Sequence, residues 1–206
     1  MAVFTDNFNR SDRELNGDNG WVVSSGNGEY AIKSNICAHD GSNQTSYVLR
    51  NLGKQKFPIT VTFYTEDARY SDGRTSRFAN EIYIGCNSDK SGAINVYVSR
   101  SNSSYNNSSI QIYDGATLVA SKNASFQFQS ALNVTTTINA DGSGSIRVTE
   151  GSNSDTLTWG ARTWSNGQGT YFGFFIERNM GVRGQRIDDL SINYVALAGR
   201  SFGYVF

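Results

Sequence analysis

The feature that most constrains this chain is an apolar/polar alternation with a period of two residues, repeated along most of its length. Successive side chains of a β-strand point to opposite faces, so such alternation marks a strand buried on one side only. Residues 58–66, PITVTFYTE, set Ile59, Val61 and Phe63 against Thr60, Thr62 and Tyr64. The same rhythm returns in TSYVLRNL (45–52), NEIYIGC (80–86), AINVYVSR (93–100) and SIQIYDG (109–115), and continues to DLSINYVAL (189–197). About a dozen strands are expected, each closed by Gly, Asn, Asp or Ser, the pattern of a β-sandwich or barrel. Asp114-Gly115 and Asp141-Gly142 are hairpin turn signals. Helical periodicity is nearly absent; SDRELNG (11–17) has room for one short turn. The Ser/Asn tract at 99–110 reads as a long polar loop between strands, so the chain is taken as one domain.

Composition narrows the function classes. Eighteen basic and 18 acidic residues balance and make up only 17% of the 206 residues, unlike an electrostatic nucleic-acid binder. No apolar run approaches the ~20 residues that span a bilayer, and the first residues, MAVFTDNFNR, have no secretory pattern. Cys37 and Cys86 have no zinc-site spacing and read as half-buried thiols within strands, with a disulfide as the lesser alternative. His39, beside Asp40 and a Gly-Ser-Asn stretch, reads as a surface turn residue. No cofactor is expected.

Both ends of the chain carry a family resemblance. Asp6-Asn7-Phe8-Asn9-Arg10, then Trp21, then Ala31 to Asn35, resemble the opening of the concanavalin A-like lectin/glucanase jelly rolls. GTYFGFFIER (169–178) followed by QRIDDLSINYV (185–195) resembles their last two strands, the final one returning beside the first. The resemblance implies an all-β, two-sheet antiparallel jelly-roll sandwich over residues 1–197. The glucanases of that superfamily carry a Glu-x-Asp-x-x-Glu phrase, and none of the six glutamates here lies in one. Retaining glycosidases need two carboxyls about 5 Å apart, so a hydrolase with a non-standard site is only a third reading. Some related jelly rolls hold one structural calcium where first and last strands meet, and Asp6, Asp188 and Asp189 are the oxygen donors that position would use. The preferred reading is plainer: Asp6 and Asn7 make turn hydrogen bonds and Asp189 pairs with an arginine.

Two functions from different classes follow. The first is a non-enzymatic virion structural protein at a virion surface, since stand-alone domains of this composition resemble tailed-phage decoration or appendage proteins. Its partners would be a capsid or other virion protein and further copies of the chain. Attachment would use the aromatic tail at 198–206, with Phe202, Tyr204 and Phe206, and a basic loop with Arg178, Arg183 and Arg186. The alternative is a lectin or carbohydrate-binding module, cytoplasmic or released without a signal. Its stacking residues would be Trp164 in a Gly-rich loop, then Tyr70 and Tyr105.

Overall fold

The computed structural model describes residues 1–26, 29–39, 45–67, 77–101, 108–124, 126, 131–176 and 185–196. Sixteen strands run through them. They are β1 (Ala2–Asp6), β2 (Arg13–Glu14), β3 (Trp21–Val23), β4 (Tyr30–Lys33), β5 (Ile36–His39), β6 (Val48–Asn51), β7 (Gln55–Asp67) and β8 (Arg77–Cys86). Then follow β9 (Ile94–Ser101), β10 (Ser108–Asp114), β11 (Thr117–Ala124), β12 (Leu132–Ile138), β13 (Gly144–Glu150), β14 (Asn153–Trp159), β15 (Tyr171–Ile176) and β16 (Gln185–Ala196). Where a short helical turn is expected at 11–17, Arg13 and Glu14 instead extend against β4, and a 3-10 turn follows at Asp18–Gly20.

All pairings are antiparallel and fall into two sheets. One has seven strands in the order β11-β10-β9-β8-β15-β6-β3; the other runs β14-β13-β12-β7-β16-β5-β4-β2, with β1 also on β16. Strand β16 organises the second sheet. One edge pairs with β7; the other pairs first with β5 (Ile187 to Cys37) and then with β1 (Leu190 to Asp6). The register shifts between Asp188 and Ser191, where Asp189 has φ 46°, so a bulge marks the change of partner. The last strand thus lies beside the first.

The alternation read from the sequence decides which faces meet. Ile59, Val61 and Phe63 of β7 are buried, and Val134 and Ile138 of β12 stand opposite Phe63 and Ile59. Val96 and Val98 of β9 and Ile110 and Ile112 of β10 cover the facing sheet. Between the layers, Trp21 packs edge-on against Phe4 and Phe174 at 5.7 and 5.3 Å and near-parallel to Phe8. Each such side chain contributes roughly 1.5–3 kcal/mol by burial, which is how a chain with few Leu residues builds its core.

Candidate functional site

The outer face of the seven-stranded sheet carries the chemistry that the core does not consume. On β8, Ile82 and Ile84 point inward, leaving Glu81 and Tyr83 outward; β9 presents Asn95 and Tyr97, and β10 presents Gln111 and Tyr113. Strand register lines these up. One row runs Phe175, Glu81, Tyr97, Gln111, and the next runs Gly173, Tyr83, Asn95, Tyr113. A Cβ at Gly173 would lie 2.2 Å from the Val48 carbonyl oxygen and 2.5 Å from Leu49, so only glycine lets β6 close on β15 at this row.

Towards β6 the face is apolar. Leu49, Tyr83, Cys86 and Ala93 form a second buried cluster, flanked by Tyr47, Tyr171 and Phe175. Tyr47 and Tyr83 meet edge to face at 6.4 Å, and Lys90 sits over both rings, 5.0 and 5.6 Å from their centroids. Burial pushes the Cys86 thiol up to about 12, and Cys37 is raised as well, so both free thiols stay protonated and unreactive. They lie inside strands as expected, but fully buried rather than half-buried.

Towards β10 the face opens into a cleft of about 360 Å³, lined by Glu81, Asn95, Tyr97, Gln111, Tyr113 and Gly115. Tyr83 donates its hydroxyl to Glu81 Oε2, and Tyr113 donates to Gln111 Oε1, each at 2.9 Å. Asn95 Nδ2 donates to the Gly115 carbonyl, leaving Asn95 Oδ1 buried with no hydrogen-bond partner. Burial raises the Glu81 pKa above the ordinary value, against the opposing effects of the Tyr83 hydroxyl and the Lys90 charge. The cleft is an aromatic wall with acceptors placed along it. Sequence reasoning missed these residues, although the tyrosines at 83, 97 and 113 each sit at an outward position of an alternating strand.

The residues singled out in the sequence lie elsewhere. Trp164 is only 5% exposed. Its Nε1 donates to the Gly142 carbonyl at 3.0 Å, Trp159 Nε1 donates to the same oxygen at 2.9 Å, and the two rings meet edge-on. The loop is drawn in because Asp114, at the end of β10, accepts backbone N–H bonds from Ser165 and Asn166, both at 2.8 Å. Trp164 is therefore a core residue, not a stacking platform. His39 is also buried rather than in a surface turn; its ring stacks on Tyr30 at 4.5 Å, and Nδ1 lies 2.8 Å from the Ile176 carbonyl oxygen of the opposite sheet. Arg186 lies in β16, not in a basic loop, and donates to Glu66 at 3.3 Å. Tyr70, Tyr105, Arg178, Arg183, Phe202, Tyr204 and Phe206 lie outside the described residues.

The Asp6 side chain is committed to protein donors rather than to calcium. Oδ1 accepts from the Phe8 N–H and Arg10, and Oδ2 accepts from Arg10, Asn19 and Trp21 Nε1, at 2.6–3.1 Å. Those bonds use the carboxylate's lone pairs, and the guanidinium stands where a cation would. Burial pushes the Asp6 pKa up, but the bonds from Arg10, Trp21, Phe8 and Asn19 outweigh it and hold the value below the usual one. The turn hydrogen bonds expected of Asp6 and Asn7 are present. Asp188, near the bulge, has its pKa raised by burial, while Asp189 is exposed and pairs with no arginine among the described residues. No group of three or more metal-ligating side chains is gathered among the described residues, and no described helix is long and apolar enough to cross a membrane.

No protein-family model matches the sequence, and no curated protein matches it. Solved structures do match. The carbohydrate recognition domain of Emp47p is 13% identical, with 95% of each chain covered and a TM-score of 0.61. The seed lectin of Lotus tetragonolobus is 11% identical, covering 96% of this chain and all of its own, with a TM-score of 0.64. The exoplasmic/lumenal domain of VIP36 in its Ca²⁺/Man3GlcNAc-bound form is 10% identical, covering 88% and 86%, with a TM-score of 0.57. At such identities the likeness is one of fold, and it extends over nearly the whole chain. The chain has the concanavalin A-like jelly-roll fold.

Proposed function

We propose that this protein is a lectin-like carbohydrate-binding module that holds a glycan against the outer face of its seven-stranded sheet without chemical conversion. The observation that carries this reading is the cleft of Tyr97 and Tyr113 with Glu81, Asn95 and Gln111 between them. Aromatic faces pack on the apolar face of a sugar ring, while side-chain amides and a carboxylate take its hydroxyls. The fold neighbours support it: one is a carbohydrate recognition domain, one a seed lectin, and the VIP36 domain is in a Man3GlcNAc-bound form. Hydrolysis by a carboxylate pair finds no support in this cleft, whose lining among the described residues holds one carboxyl group, Glu81. The capsid-attachment reading leans on residues 198–206, outside the described residues, and no described feature favours it.

The test is a glycan array probed with the wild-type chain and with a Tyr97→Ala/Tyr113→Ala double variant whose circular dichroism is unchanged. Removing two central aromatic contacts is expected to weaken the retained glycan by at least about tenfold. Undiminished binding by the double variant, or no glycan bound by wild type, contradicts the proposal.

A further inference from the structure

The cleft asks for a donor, and specifically for a positive one. Among the described residues, its three polar lining side chains besides the tyrosine hydroxyls are Glu81, Asn95 and Gln111, and no Lys, Arg or His lines it. The Tyr113 hydroxyl is spent on Gln111 Oε1, and the Asn95 amide donates towards Gly115, so Asn95 Oδ1 and the Glu81 carboxylate are left as acceptors. Glu81 makes no ion pair among the described residues. Among the described residues its hydrogen bond comes from the neutral Tyr83 hydroxyl, and the cation that acts on it, Lys90, is held over the Tyr47 and Tyr83 rings. A half-buried carboxylate in this state has lost hydration without a directly paired counter-charge among the described residues. The tyrosine faces beside it also favour a cation over an anion.

We propose that the cleft selects a glycan containing a hexosamine with a free ammonium group, which Glu81 and Asn95 Oδ1 bind by hydrogen bonds, the first charge-assisted. This rests on the carbohydrate-binding reading above and adds the ligand's charge to it. An ammonium has three donors and no acceptor, so it matches the acceptors at Glu81 and Asn95. A uronic acid would set carboxylate against carboxylate, and an N-acetyl group would replace the charge with an amide and a methyl.

Three tetrasaccharides that differ only at C2 separate the possibilities: β-1,4-linked glucosamine, its N-acetylated form, and the corresponding glucose tetramer. Calorimetric titration of the wild type is expected to show the free amine bound about tenfold more tightly than the other two, the difference between a charged and a neutral hydrogen bond. In Glu81→Gln the preference should shrink to less than about threefold, because the free amine loses more affinity than the glucose tetramer. Equal affinities in wild type, or a preference that persists in Glu81→Gln, overturns the ammonium inference. The cleft itself still stands in that case if Tyr97→Ala/Tyr113→Ala loses all three ligands. If the double variant binds them like wild type, or wild type binds none, the cleft reading falls and this inference with it.

Discussion

At the residue scale, the Asp6 carboxylate ties the amino-terminal segment to the core. It accepts from Arg10, Asn19, Trp21 and the Phe8 backbone, while Arg10 also reaches Asp18. The Asp6 side chain is 1% exposed and that of Arg10 is 23%, so solvent screens the pair little. Asp6→Asn should lower the unfolding free energy at about pH 7 by roughly 3 kcal/mol, since it leaves a partly buried guanidinium short of a counter-charge. The pH dependence has a definite sign. The folded pKa lies below the unfolded one, so the stabilisation is complete above the ordinary Asp pKa and disappears as pH falls through the folded value. Urea unfolding of wild type and variant at successively lower pH should therefore show their difference shrinking. A difference independent of pH would mean that the carboxylate's charge is not what matters.

At the scale of elements, two turns are built alike. In Asn87–Ser91 and Asn139–Ser143 the asparagine N–H donates to the serine carbonyl, the asparagine amide donates to the serine hydroxyl, and the aspartate accepts from the serine N–H. The fourth residue is left-handed in both, Lys90 at φ 63° and Gly142 at φ 79°. Only the second turn is built into the core. A Cβ on Gly142 would lie 1.9 Å from the Arg162 carbonyl oxygen, and the Gly142 carbonyl holds both Trp159 and Trp164. Gly142→Ala is expected to cost about 3 kcal/mol and to alter tryptophan fluorescence; an unchanged melting transition would show that the turn does not position these rings. The Asp141-Gly142 hairpin was legible in the sequence because its signal is local. The burial of Trp164 was not, since a Gly-rich loop looks exposed until Asp114, about fifty positions earlier, is seen to bind its backbone. His39 was misread for the same reason: its partner carbonyl, Ile176, lies 137 residues away in the other sheet.

At the scale of the whole molecule, the two sheets spend their inner faces on each other, and the seven-stranded sheet keeps an outer face with two characters. Its β6 side is closed by packed aromatics and Lys90, whereas its β10 side is open and acceptor-rich. The fold was readable because alternation and turn residues are properties of short segments, and both chain ends carried a family likeness. The site was not, because a shared face depends on which strands lie side by side and in what register. Tyr97 becomes a neighbour of Glu81 and Gln111 only when β9 pairs with β8 and β10. The central claim is that this open face binds glycan. Its most direct test is amide chemical-shift mapping of the ¹⁵N-labelled chain titrated with the glucosamine and glucose tetramers. The account predicts perturbations centred on Glu81, Asn95, Tyr97, Gln111 and Tyr113. Perturbations centred instead on Asp6 and Asp189 or on Trp164, or none at saturating tetramer, would contradict it.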